Sequence, residues 1–299
     1  AIVTRARVVG LAVEIVRNGS RGAYWMEPLV EVDSAAGRVG FANVTVEQVP
    51  ALLAGAVLPD ATHPMSVGLV REIPWLRDQQ RLTFARAGEI DPLSITDYRA
   101  HGGLAGLERA VTLSPQAIID ELKLSGLRGR GGAAFPAHIK WQTVHDAVSD
   151  TKYVVCNADE GDSGTFADRL LMEADPFQLI EGMAIAALAV GATRGVVYIR
   201  SEYPHAVRTM ERAVEIARAH GVLGSRVLGS AHAFDISIRM GGGAYICGEE
   251  TAMLESLEGK RGIVRSKPPI PALSGLFGKP TVIHNVLSLA AVSDILAKG

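Results

Sequence analysis

From Tyr153 to Ala219 the chain repeats one rhythm, a short apolar run followed by a longer helical one. "YVVC" is followed by "DPFQLIEGMAIAALAVGA", and "GVVYIR" by "PHAVRTMERAVEIARAHG". Asp175 with Pro176, and Pro204, stand where helices begin, and Gly221 stands where the second ends. Strands alternating with helices argue for an α/β fold whose sheet is covered on both faces. "FDISIRM" then alternates Phe234, Ile236, Ile238 and Met240 with Asp235, Ser237 and Arg239, which predicts a half-exposed strand. A hydrophobic content of 48% over 299 residues is ample for one large or two modest domains. The longest low-polarity run, Gly182 to Ala192, is too short to span a bilayer and reads as a buried helix.

The first segment is organised differently. "GLAVEIVRNGSRG" reads as a strand, "EPLVEV" and "RVGFANV" as a hairpin about "DSAAG", and a helix is expected from Thr45 with Glu47 in its first turn. His63 to about Asp97 is irregular and Arg-rich, and a domain boundary is expected near residue 75. The opening "AIVTRARVVGLAVEIV" has neither an initiator Met nor a signal-peptide pattern, so the chain is expected to begin inside a domain.

Three loops follow predicted elements. Ser114-Pro115 caps "PQAIIDELKLSG", with Ile118 and Leu122 on one face, and Gly126 delivers the chain into "GLRGRGGAAFPAHIKW". There Gly129, Gly131 and Gly132 permit close backbone approach, and Arg128, Arg130 and Lys140 supply cationic donors, a pattern suited to phosphate and also to a solvated loop. "NADEGDSG" after "YVVC" gathers Asn157, Asp159, Glu160 and Asp162, as a ligand crevice or an Asx-rich turn would. "GGGAYICGEE" places Glu249 and Glu250 at the start of a helix from about Gly248, where carboxylates suit the helix dipole. Phosphate on Arg128, Arg130 and Lys140, with a polyol or carboxamide near Asp159, Glu160 and Glu250, describes a nucleotide or a flavin.

Other classes are poorly served. A net charge of -2 leaves no footprint for nucleic acid. Neither a Gly-Lys-Ser/Thr phosphate loop nor a G-x-G-x-x-G after a strand is present, and the acidic cluster lacks the spacing of a calcium loop. Cys156 and Cys247, each after a β-type run, cannot build an iron–sulfur cluster; they are expected as buried free thiols, with a disulfide between them as the lesser alternative. No metal ligands are assigned.

In order and spacing, "GLRGRGGAAFPAHIKW", "YVVCNADEGDSGTFADRLLMEADP", "LIEGMAIAALAVGATRGVVYIRSEYP" and "GGGAYICGEETAMLESLEGKRGIVRSKPPIPALSGLFGKPTVIHNV" resemble the flavin-carrying, NADH-oxidising subunit of respiratory complex I over about residues 85 to 299. "GGAAFP", "NADEGDSGTF", "RSEYPHA" and "VRNGSRGAYWMEPLVEV" look most like one branch, the beta (diaphorase) subunit of NAD-dependent molybdenum formate dehydrogenases. The bidirectional hydrogenase diaphorase is the nearest competitor.

That resemblance implies a non-Rossmann FMN-binding flavodomain over 76–299, preceded over 1–75 by part of a thioredoxin-like domain without cluster cysteines and a connecting segment. It implies FMN surrounded by Gly129, Arg130, Gly131, Gly132, Lys140, Asn157, Asp159, Glu160, Tyr245, Gly248, Glu249, Glu250, His284 and Asn285. Phe135, Asp162 and Lys267 would help hold NAD(H). Hydride would pass to the flavin, with Glu250 and Asp162 tuning or orienting and no side chain acting as acid or nucleophile. The implied partners are a gamma-type [2Fe-2S] subunit and a molybdenum-containing alpha subunit, in the cytoplasm, with neither nucleic acid nor membrane insertion. The family's ubiquitin-like and iron–sulfur domains would follow the last residue of this chain. Three positions depart from the family: Asp162 where Glu is common, Ile270 in place of an aromatic, and His284 in place of the first Asn of a pair. A scaffold keeping the fold without the flavin, and a phosphate-binding transferase, are the rival readings.

Overall fold

Antiparallel pairing organises the first part of the chain and parallel pairing the second. In the computed structural model, which describes residues 1–55 and 57–298, these parts are separate units, Ala1–Leu82 and Thr83–Gly299.

The first unit opens with α1 (Ile2–Val8) and has a three-stranded sheet in the order β1-β2-β3. β1 (Val30–Ser34) and β2 (Gly37–Phe41) form the expected hairpin, with Val30 opposite Phe41 and Ser34 opposite Gly37. Gly37 has φ +119°, a conformation that favours glycine. Thr45 begins a helical turn through a reciprocal capping box with Gln48, leading into α2 (Val49–Leu52). The strand expected at "GLAVEIVRNGSRG" does not form. β1 pairs with β2 and the other edge of β2 is taken by β3 (Ser66–Leu69); the stretch leaves the outer edges of β1 and β3 unpaired, and Ile15 and Val16 stay 47% and 53% exposed. β3 lies in the stretch expected to be irregular, which then supplies α3 (Pro74–Arg77). Phe41, Val39, Val49 and Leu52 form this unit's core.

The second unit is built on four parallel strands in the order β6-β5-β4-β7. These are β4 (Tyr153–Ala158), β5 (Arg194–Ile199), β6 (Asp235–Met240) and β7 (Thr281–Asn285). Before β4 come α4 (Ile95–Ala100), α5 (Ala105–Ala110), α6 (Pro115–Leu124) and α7 (Ala137–Asp146). α6 is capped as expected, the Ser114 hydroxyl accepting from the Ala117 N–H at 3.2 Å, and it buries Ile118 and Leu122. α8 (Ala167–Ala174) and α9 (Pro176–Val190) cross from β4 to β5, and α10 (Pro204–Ala219) crosses from β5 to β6. α11 (Glu250–Leu257), α12 (Pro271–Ser274) and the last helix, α13 (Val286–Lys298), flank β7. Among the described residues no helix is long and apolar enough to cross a membrane.

α9 is buried along nearly its whole length, as its sequence requires, and packs on α13 so closely that a Cβ on Gly182 would stand 2.0 Å from the Leu289 carbonyl oxygen. Asp175 precedes α9 without capping it through its side chain. A carboxylate buried this deeply needs a charged partner, and Oδ2 instead accepts from Arg86 Nε at 2.7 Å. Burial still raises its pKa to about 6. The alternation in β6 fades outward: Phe234 and Ile236 are buried, whereas Met240 is 61% exposed. Both thiols are buried and free, but Cys247 sits in a 3-10 turn closed by its own N–H to the Ala244 carbonyl, not at the end of a strand.

Candidate functional site

The direction of winding reverses at β4. The chain steps outward from β4 to β5 to β6, then returns to place β7 on the other side of β4. Above the C-terminal ends of two parallel strands that diverge in this way, the connections part and leave a crevice. The crevice exists here as a cavity of about 540 Å³, within the range of cofactor pockets. Asn157 and Asn285, register partners at the ends of β4 and β7, form its floor.

One wall is the Gly-rich loop. The Gly129 N–H donates to the Phe135 carbonyl at 2.8 Å and Ala137 N–H to Leu127 at 2.9 Å, so the loop is closed at its base. Gly129, Gly131, Ala133, Ala134 and Phe135 line the cavity. A Cβ on Gly131 would stand 3.6 Å from Asn285 and one on Gly248 3.5 Å from Asp159, both ordinary contacts, so the glycines leave the backbone open at the wall. The Arg130 N–H donates to Ser288 Oγ at 2.8 Å, and that hydroxyl donates to Asn285 Oδ1 at 2.5 Å. Asn285 Oδ1 also accepts the Ser288 N–H at 3.2 Å, capping the first turn of α13, and through the hydroxyl it is tied to the loop. Ser288 escaped the sequence reading; the available signal was Asn285, an N-cap residue type just ahead of an apolar run.

The opposite wall carries the charges. Lys267 Nζ lies 2.7 Å from one oxygen of Glu250, and Lys140 Nζ lies 3.5 Å from the other. Lys140 also donates to the Ile283 carbonyl at 3.3 Å. Burial alone would lower the Lys267 pKa, but its bond to Glu250 and the charge of Glu249 hold it above the ordinary range. Glu249 is the cap of α11, Oε2 accepting from the Thr251 and Ala252 N–H groups at 2.8 and 2.9 Å. Against the effect of burial, the Thr251 hydroxyl together with these N–H groups keeps its pKa below the usual carboxylate range. At the end of β7, His284 accepts from Trp141 Nε1 at 3.0 Å, and burial together with Lys140 lowers its pKa to about 3.

Of the residues expected at the site, Gly129, Gly131, Phe135, Lys140, Asn157, Gly248, Glu249, Glu250, Lys267, His284 and Asn285 line this cavity, and so does Ile270. Arg130, Gly132, Asp159, Glu160, Asp162 and Tyr245 are outside the lining. The Arg130 guanidinium reaches Thr83, and Arg128 holds the Ala134 carbonyl of its own loop at 2.7 Å. Glu160 turns to the start of α8, accepting from the Asp168 and Arg169 N–H groups at 2.9 and 3.2 Å and from the Tyr203 hydroxyl at 3.1 Å. Asp159 lies behind Asn157, whose Oδ1 accepts its N–H at 3.2 Å in an Asx turn. Burial raises the Asp159 pKa to about 6, and its Oδ2 has no partner among the described residues. Asn157 Nδ2 donates to the Gly248 carbonyl at 2.9 Å, joining the acidic loop to the turn before α11. Among the described residues, no three His, Cys, Asp or Glu side chains gather as a metal ion would need.

The cavity can thus hold a rigid polar ligand. It offers glycine backbone, two ammonium groups, two floor amides and a half-exposed aromatic, Phe135, at its edge. Residues 122–294 match the family described as the Nuo51 FMN-binding domain (Complex1_51K). A NADP-reducing hydrogenase subunit, HndC, from Solidesulfovibrio fructosivorans is 48% identical over 223 residues, 75% of this chain and 45% of that protein. A NADH-quinone oxidoreductase subunit of Rhizobium meliloti is 53% identical over 206 residues, 69% of this chain and 49% of that one. A crystal structure of a NAD+-reducing [NiFe]-hydrogenase in the H2-reduced state superposes with a TM-score of 0.61 at 33% identity, covering 87% of this chain and 42% of that chain. The chain spans about half the length of the curated relatives it matches.

Proposed function

The chain belongs to the family of Nuo51 FMN-binding domains, and on that footing we propose that it is the flavin module of a diaphorase, exchanging a hydride between NAD(H) and FMN. The observation that carries this reading is the cavity at the reversal point of the sheet, walled by a Gly-rich loop and two lysines. The residues fit the cofactor, because glycines leave the backbone approachable and the lysines supply cationic donors for phosphate.

Bound FMN would supply the hydride acceptor. The chain's own residues would bind and orient: Lys140 and the Gly-rich loop the phosphate end, and Asn157, Asn285 and His284 the polar edges above β4 and β7. Lys267 and Phe135 would face the dinucleotide, while Glu250, bridged by both lysines, would accept from sugar hydroxyls. Asp162 and Tyr245 would flank the nicotinamide end, and Ile270 would offer aliphatic contact to the dinucleotide. The first unit is read as part of a thioredoxin-like domain.

For the far end of electron transfer, the motifs "NADEGDSGTF" and "RSEYPHA" support the beta subunit of a molybdenum formate dehydrogenase, working beside a gamma-type [2Fe-2S] subunit. The likeness to HndC and to the hydrogenase structure favours a hydrogenase diaphorase as the second reading. Titration with FMN, followed by NADH-dependent ferricyanide reduction, tests the module. One flavin per chain and a ferricyanide rate dependent on it are expected, and a chain that binds no FMN would end the reading. Co-purification from the native host separates the finer readings, since a molybdenum-containing formate-oxidising partner supports the first and a hydrogenase the second.

A further inference from the structure

Trp141 and His284 meet inside the wall of the cavity, and their pairing fixes where a proton sits. The indole Nε1–H can only donate, so His284 Nε2, 3.0 Å away, must present its lone pair. A neutral imidazole that accepts at Nε2 carries its hydrogen on Nδ1. An imidazolium would leave Trp141 without an acceptor. Burial and the Lys140 ammonium both oppose one. α7 contributes the Lys140 ammonium as well as Trp141, and β4 contributes Cys156, the register partner of His284, whose thiol burial keeps protonated. On β7 itself the neighbours Ile283 and Asn285 are uncharged, and Glu250 across the cavity is engaged by Lys140.

His284 is 6% exposed and lines the cavity, and among the described residues its Nδ1 makes no hydrogen bond. Nδ1 is not among the fully buried unpaired atoms, so this donor keeps accessible surface on a residue that lines the cavity, where a ligand acceptor can reach it. We propose that His284 is a single-purpose donor, locked by Trp141 as its Nδ1–H tautomer, to an acceptor oxygen of the bound flavin nucleotide; the ligand in this statement rests on the flavin reading above. The consequence is selectivity. An asparagine here could turn either its carbonyl or its NH₂ group to the ligand, whereas His284 can only donate. Trp141 is a positioning residue, acting through the ring it holds.

The tautomer is read directly by long-range ¹H–¹⁵N correlation spectra of histidine-labelled protein, with His284 assigned by its loss in His284→Asn. The expected result, without ligand, is a protonated Nδ1 and an unprotonated Nε2 at acid, neutral and alkaline pH alike, with no titration. Added FMN shifts the Nδ1 resonance. Trp141→Phe releases the ring into a mixture of tautomers. In fluorescence titrations His284→Leu binds FMN about five- to tenfold more weakly than wild type, and His284→Asn, which can still donate, stays within about twofold. An Nε2–H tautomer would overturn the lock, and undiminished FMN affinity in His284→Leu would overturn the contact. Should the Leu variant not fold, an unmoved Nδ1 resonance in wild type saturated with FMN is equally fatal. Wild-type protein that binds no FMN would remove the flavin reading, an outcome distinct from the ligand-free tautomer.

Discussion

The Tyr245 hydroxyl donates to Asp162 Oδ1 at 2.7 Å across 83 residues of sequence, joining the acidic loop after β4 to the turn before α11. The Tyr245 ring lies over Gly161, where a Cβ would come within 2.8 Å of it. The bond and the charge of Asp162 raise the pKa of the phenol. If the pair flanks the nicotinamide, Asp162→Asn and Tyr245→Phe should each raise the KM for NADH about two- to fivefold and leave FMN content intact. The double variant should be no worse than either single, because both remove one interaction. Steady-state kinetics decides, and fully additive effects would separate the two side chains.

Lys140 bears on the phosphate. In Lys140→Ala, Glu250 keeps Lys267 at 2.7 Å, so no carboxylate is stranded and stability should change by less than about 1 kcal/mol. FMN affinity should fall roughly ten- to hundredfold with the loss of a charge-assisted bond of about 1.5–3 kcal/mol. Unchanged affinity by fluorescence titration would move the phosphate elsewhere.

Asp168, buried in the first turn of α8, sets a pH dependence. Burial, then the charge of Glu160, raise its pKa to about 8, partly offset by a hydrogen bond from the backbone of Leu287. The unfolded chain loses this proton near pH 3.8 and the folded chain keeps it to about 8. Its contribution to stability is therefore fully present below pH 3.8, falls as pH rises, and is lost by about pH 8. Asp168→Asn should flatten the decline, most visibly when urea unfolding at pH 5 and pH 8.5 is compared. Equal slopes in both proteins would assign the dependence to other groups.

Gly182→Ala should be costly. The new methyl would meet the Leu289 backbone, which cannot swing aside as a side chain can, so α9 and α13 must part. A loss of about 1–3 kcal/mol or more is expected by urea denaturation, and a loss within error would show that the helices slide freely.

Much of the second unit was legible because its signals are local. Ser114 and Pro115 announce α6, Pro204 and Gly221 bracket α10, and the apolar runs at Tyr153 and Gly195 give the two central strands. What failed depended on distant partners. Ile15 and Val16 look like strand residues but join no strand among the described residues, while Ser66–Leu69 forms β3 on the edge that β2 offers. At the site, residue types were readable and directions were not. Glu160 turns to α8 because the helix that begins a few residues later offers two N–H groups, and nothing in "NADEGDSG" marks that choice. The pairing of Tyr245 with Asp162 and of Trp141 with His284 joins segments that only the fold brings together.

β4 lies between β5 and β7, so its amide groups are shared with strands on both sides, while the loops above it are held by a few turn and side-chain bonds such as Gly129 to Phe135 and Asn157 to Gly248. In deuterium-uptake terms, the β4 side of the floor should be among the slowest amides of the second unit, while the walls should exchange through local breathing. A ligand seated on that floor therefore slows exchange in strands it never touches, by deepening the well of the entire unit.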